Sequence, residues 1–189
     1  GSEMCIRDSL LGAEPSEIIF TSCGTEGDNA AINAALIAQK NKRHIITTEV
    51  EHPAILSHCK QLERQGYQVT YLSVDQQGQL DLNELKTSLT GNTALVSVMY
   101  ANNETGVIFP IEEIGQMVKE YGALFHVDAV QAVGKIPLNM KTSTIDMLTI
   151  SGHKIHAPKG IGALYVRKGV RFRPLIIGGH HCLLYTSPS

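Results

Sequence analysis

The sequence predicts an α/β fold, a mostly parallel sheet with helices on both faces. Two observations predict it. Short β-like runs alternate with helical stretches along the chain, and strand–helix–strand at this spacing is the mark of βαβ crossovers. The polar signatures fall just after strand ends, where open sheets of this class bind ligands.

The elements follow in order. Glu17–Thr21 (EIIFT) reads as a short buried strand, followed by a loop and an Ala-rich helix from about Thr25 to Gln39. Arg43–Thr48 is a second strand. Pro53–Gln65 is a helix with Pro53 in its first turn, where a missing N–H is harmless. Tyr67–Ser73 is a strand, and Asp81–Leu89 a short helix with Asp81 as its N-cap. Thr93–Tyr100 is strongly β-like, Ile111–Tyr121 is helical until Gly122 stops it, and Leu124–Asp128 is a strand. Met147–Ser151 and Gly162–Val166 supply two more. No repeat and no low-complexity linker interrupts the series. Residues 1–9 and 182–189 fail to continue the pattern and are expected to be a non-native leader and tail, leaving 10–181 as the domain.

The 189 residues carry 16 Lys+Arg against 18 Asp+Glu, a formal charge of −2, with 43% hydrophobic and 18% charged residues. That is globular composition, neither a disordered tail nor a fibre. It is also one domain's worth of chain. The near-neutral balance argues against nucleic acid as a partner, because phosphate-backbone binding needs a clustered basic face. No apolar run nears the roughly 20 residues of a membrane span, so no membrane is expected either. Cys5, Cys23, Cys59 and Cys182 lie far apart with no CxxC pair, which reads as a reducing, cytoplasmic setting.

Ser22-Cys23-Gly24-Thr25-Glu26-Gly27-Asp28-Asn29 lies between a strand and a helix. Gly24 permits a sharp turn, the helix start offers free N–H groups and a positive dipole end, and Thr25 adds a hydroxyl. A phosphate would be held well there; a plain helix cap with acids placed for the dipole is the simpler alternative. Glu26 and Asp28 would have to point away from a phosphate. Neither GxGxxG nor GxxxxGK[ST] occurs, which excludes a dinucleotide fingerprint and a P-loop.

Asp128 ends an apolar strand, a position suited to a helix cap or to a carboxylate that keeps a proton on a ring nitrogen. Gln131, one turn on, faces the same cleft. Ser151-Gly152-His153-Lys154 follows another strand, and Lys154, flanked by Gly152, His153 and Ile155, is expected to be partly desolvated and so a competent amine nucleophile. His52 in Glu51-His52-Pro53 reads alone as a helix-entry residue, and Asn102 and Asn103 as turn formers. The conjunction says more than any one motif. A ligand with a phosphate, a basic ring nitrogen and an aldehyde would use all of these residues, and pyridoxal 5′-phosphate is that ligand.

The motifs FTSCGTEGDN, EHPAIL, YANNETGV, HVDAVQAVGK and SGHKIHAPKGIGALYVR occur in this order. Through them the stretch from Leu10 to His181 resembles the NifS-type cysteine desulfurases, a branch of the fold-type I pyridoxal-phosphate enzymes. The resemblance implies that Lys154 binds the cofactor aldehyde and that Asp128 pairs with the ring nitrogen. It implies that His52 stacks on the ring and assists proton transfer, and that Gln131 and Asn103 bond near the phenolate oxygen. Gly24, Thr25, Ser151 and His153 are implied to hold the phosphate. L-cysteine is the implied substrate, yielding alanine and an enzyme persulfide that feeds iron–sulfur assembly. A homodimer and an iron–sulfur scaffold or other acceptor protein are the implied partners.

The chain departs from that family after Gly178-Gly179-His180-His181, where Cys182-Leu-Leu-Tyr-Thr-Ser-Pro-Ser189 replaces an expected Glu-Arg…Arg-x-Gly-Thr stretch. None of the four cysteines matches the family's nucleophile; Cys23 and Cys59 read as small buried residues. Cys182 with His180 and His181 could imitate a metal site, but no metal is expected. The expectation is a partial large domain, without its small domain and without desulfurase turnover of its own. Two alternatives stay open: another fold-type I enzyme, aminotransferase or lyase, and an inert fragment free of cofactor.

Overall fold

The computed structural model describes residues 11–155, 158 and 160–173. The leader and tail expected at 1–9 and 182–189 lie outside them, as do Cys5 and Cys182. Seven strands and four α-helices alternate: β1 (Ile18–Thr21), α1 (Gly24–Ala38), β2 (His44–Thr48), α2 (Pro53–Arg64), β3 (Gln68–Leu72), α3 (Leu82–Ser88), β4 (Thr93–Met99), α4 (Ile111–Glu120), β5 (Leu124–Asp128), β6 (Met147–Ser151) and β7 (Gly162–Val166). Local chemistry sets the ends. The Asp81 carboxylate accepts from the Asn83 N–H at 2.8 Å and caps α3. Pro53 occupies the first position of α2, and Gly122, at φ 61°, takes the left-handed turn after α4.

The sheet order is β1-β7-β6-β5-β4-β2-β3. Pairs β2–β3, β2–β4, β4–β5 and β5–β6 are parallel. β7 runs antiparallel to both β6 and β1. The fold is the expected one, with a single reversed strand. One expectation needs correcting: β1 is not a buried strand. It lies at the sheet edge, paired on one side only, and Phe20 is 62% exposed. Glu17 also falls outside it, in a 3₁₀ turn over Pro15–Glu17.

Period-2 alternation sends neighbouring strand residues to opposite faces. Ile45, Leu95, Met147 and Leu164 pack under α1 and α2, while Ile46, Val96, Leu148 and Tyr165 pack with α3 and α4 on the other side. α1 meets the sheet through small residues. Ala30, Ala31, Ala34 and Ala35 are buried, and a Cβ at Gly27 would come 2.8 Å from Thr149 Cγ2. The helix is thus pressed onto β6, and its open start lies beside that strand's carboxyl end.

A similar close approach on the other face gives a stability test. A Cβ at Gly115 in α4 would overlap the Thr144 hydroxyl and come 3.1 Å from Phe125 Cδ1. Gly115→Ala is therefore expected to destabilise the fold by about 1–3 kcal/mol, outweighing the ~1 kcal/mol of helix propensity it gains. Denaturant unfolding checks this.

Candidate functional site

The segments that leave β1, β2, β4, β5 and β6 meet at one rim of the sheet and line a cleft of about 280 Å³. That is the small end of the ligand-pocket range. Every residue that the resemblance implies for the cofactor lines it. Gly24 and Thr25 come from the start of α1, His52 from the turn after β2, and Asn103 from the loop after β4. Asp128 and Gln131 come from the end of β5, and Ser151, His153 and Lys154 from the end of β6.

α1 begins without a side-chain cap: Cys23 is its N-cap residue, and the first helical bond runs from the Gly27 N–H to the Cys23 carbonyl at 3.2 Å. The N–H groups ahead of Gly27 are left for a ligand. Gly24 suits this position, since a Cβ there would lie 3.1 Å from Val130 Cγ2 and 3.6 Å from Ser151 Cβ. Glu26 turns back as expected, its carboxylate accepting from the Ser22 N–H at 2.7 Å and the Ser22 hydroxyl at 2.6 Å. Asp28 does not turn away. It is buried and lines the cleft, because the same helix face that packs on Thr149 carries it inward.

Several positions serve two ends at once. His52 caps α2, its Nδ1 accepting from the Ala54 N–H at 3.2 Å, and its ring still borders the cleft. The Asn102 carbonyl oxygen accepts from the Glu104 and Thr105 N–H groups at 2.8 and 2.9 Å, which makes it the turn former and leaves Asn103 to the cleft. The Ser151 hydroxyl and His153 Nδ1 are 2.8 Å apart. Lys154 closes a 3₁₀ turn, Gly152–Lys154, and reaches the cleft. The expected desolvation is not seen, since Lys154 is exposed among the described residues; β6 ends at Ser151 and the turn carries the lysine out of the core. Cys23 is half-buried and lines the cleft, whereas Cys59 is fully buried and burial pushes its thiol up to about 12.

Carboxyls crowd the floor of the cleft. The Asp128 Oδ1 accepts from the Val130 N–H at 2.9 Å. Burial raises its pKa, against the pull of that N–H and of His52. Burial, then the charge of Asp128, raises Asp28 well above the ordinary value of 3.8. Burial likewise pushes Glu51 up to about 8. His126 is fully buried between the Ser97 hydroxyl at 2.8 Å and the Thr149 hydroxyl at 2.9 Å, and burial pushes it down to about 3. With the imidazole uncharged, its 3.7 Å approach to Asp28 Oδ1 is not an ion pair. Sequence reasoning gave no role to His126, Thr149 or Glu51. The signal for the first was a histidine inside the otherwise apolar run Leu124-Phe-His-Val.

Fold and cleft together define a class: an α/β domain in which an amine, a buried acid and an open helix start border one strand-end cleft. The chain belongs to the aminotransferase class-V family, whose profile matches residues 6–186. A cysteine desulfurase of Nostoc sp. is 83% identical over 172 residues, covering 91% of this chain and 43% of the relative. Cysteine desulfurase NifS of Azotobacter vinelandii is 58% identical over 172 residues, with 90% and 43% covered. Among solved structures, a NifS-like protein superposes with a TM-score of 0.88 at 46% identity, covering 92% of this chain and 49% of that one. SspA in complex with cysteine does so with 0.88 at 41%, covering 93% and 52%. The chain spans about 43% of the length of the curated relatives it matches.

Proposed function

We propose that this chain is the cofactor-binding part of a cysteine desulfurase that uses pyridoxal 5′-phosphate. One observation carries the reading: Lys154, Asp128 and the open start of α1 border the same cleft. The residues present fit the cofactor. Gly24 leaves a cradle that a Cβ would crowd, N–H groups at the helix start await an anion, and Asp128 is a buried acid fit for a protonated ring nitrogen.

When bound, pyridoxal phosphate supplies an aldehyde carbon and a protonated ring that takes up the electron pair released at a substrate Cα. The chain's own residues do the rest. Gly24, Thr25, Ser151 and His153 would hold the phosphate, with the dipole of α1 behind them. Asp128 would keep a proton on the ring nitrogen. His52 would lie against the ring and assist proton transfer, and Gln131 and Asn103 would bond near its phenolate oxygen. Lys154 would supply the amine that holds the aldehyde and the base for a proton at the substrate Cα.

The desulfurase relatives and the cysteine-bound SspA support L-cysteine as the substrate. A homodimer, an iron–sulfur scaffold or other sulfur-acceptor protein and a cytoplasmic setting complete the proposal. Among the described residues no helix is long and apolar enough to cross a membrane. The test is product analysis: the full-length protein, loaded with pyridoxal phosphate and given L-cysteine with a thiol that reduces the released persulfide sulfur, is expected to yield one alanine per sulfide. Pyruvate with sulfide would mark a different lyase, and a transferred amino group an aminotransferase. Either overturns the reading.

A further inference from the structure

β2 and β4 pair only as far as Thr47↔Ser97, whereas β4 and β5 stay in register to Met99↔Asp128. Two residues of β4 therefore run on with β5 on one side and no strand on the other. Backbone N–H groups alternate in direction along a strand. Tyr100 donates its N–H to the Asp128 carbonyl at 2.8 Å, so the Met99 N–H points to the side that β2 has left. An unpaired N–H there would be a buried orphan.

Glu51 fills that gap. Its Oε1 accepts from the Met99 N–H at 2.8 Å and from the Thr48 hydroxyl at 2.8 Å, joining the end of β4 to the end of β2. Glu51 is 4% exposed, and among the described residues its Oε2 has no hydrogen-bond partner. The next residue is His52, and the strand it clamps is registered on Asp128. We propose that Glu51 is a positioning residue: its carboxyl stands in for the missing rung of β2 and ties together the two strand ends that carry His52 and Asp128.

This rests on the cofactor reading above only for its functional consequence. Among the described residues Glu51 has no cation to pair with. The titratable groups around it are Asp28 on α1, Cys59 on α2, Asp128 on β5 and its own neighbour His52, and its pKa of about 8 leaves it protonated at neutral pH. Among the described residues these acids are not arranged as a metal site. Glutamine can therefore replace Glu51, since an amide oxygen accepts the same two hydrogen bonds. Leucine cannot, and it leaves two buried donors unsatisfied.

Two readouts follow: amide hydrogen exchange at Met99 in the protein without cofactor, and affinity for added pyridoxal phosphate by its visible absorbance. Glu51→Gln is expected to match the wild type in both. Glu51→Leu is expected to lose about 10- to 100-fold in each. If Glu51→Leu keeps its protection and affinity, or if Glu51→Gln falls with it, the proposal is overturned. If no version binds pyridoxal phosphate but Met99 protection still separates leucine from glutamine, the clamp stands and the cofactor reading fails. Should the leucine variant not fold, Glu51→Gln against the wild type decides: equal protection at Met99 and equal affinity support the clamp, and a loss of either overturns it.

Discussion

Lys154→Ala is expected to abolish covalent attachment of pyridoxal phosphate. Borohydride reduction of the wild-type chain with the cofactor should add one cofactor mass, mapped to the peptide carrying Lys154; in the variant that peptide should stay unlabelled. Lys154 reaches the cleft because buried β6 ends at Ser151 and a single 3₁₀ turn, Gly152–Lys154, swings the amine over the rim. Among the residues described there, it is the one lining side chain with a primary amine. Turnover of the full-length protein should fall by roughly 10⁴-fold or more, the scale of losing a covalent catalyst. Stability should change by less than about 0.5 kcal/mol, because Lys154 is exposed. Lys154→Arg keeps the charge and removes the nucleophile, so it should fail in the same way. Label that persists at other lysines in equal amount, with Lys154→Ala unchanged, would end the assignment.

Much of this was legible in the chain because local chemistry set it. Pro53, Asp81 and Gly122 punctuate the helices, and the structure keeps each in the role its residue type suggests. The site was legible for a topological reason: each candidate followed a strand, and parallel strands deliver their carboxyl ends to one rim. What stayed hidden depends on pairing over long sequence distances. EIIFT reads as buried until β7, far along the chain, proves to be its one strand neighbour among the described residues, which leaves Phe20 outside. Glu51 sits in plain view beside His52, yet only the early departure of β2 from β4 turns it from a loop acid into a buried hydrogen-bond acceptor. For Asp28 the sequence says only that it must avoid a bound phosphate, and the close seat of α1 on Thr149 is what buries it.

Asp128→Asn is expected to move function and stability in opposite directions. Asparagine keeps an oxygen for the Val130 N–H, so the turn after β5 survives. What is lost is the charge. An ion pair at about 4 Å in a medium of effective dielectric near 20 is worth ~4 kcal/mol. If Asp128 stabilises a protonated ring nitrogen, turnover of the full-length protein should fall by roughly 10³-fold. Without cofactor the sign reverses, since the wild type must hold this carboxylate beside Asp28 and Glu51 in a buried floor. Its folded pKa is raised, so ionisation on the way to neutral pH weakens the fold, while the amide does not ionise. At pH 7 the cofactor-free variant should therefore melt above the wild type. The gap should start to shrink once pH falls below the raised folded pKa and vanish below the ordinary value of 3.8, where the unfolded carboxyl is protonated too. In the wild type that same protonation should loosen the cofactor, at a higher pH than an ordinary surface carboxylate would. Turnover within about tenfold of wild type, or a variant that melts lower without cofactor at pH 7, would show that Asp128 serves the fold and not the ring.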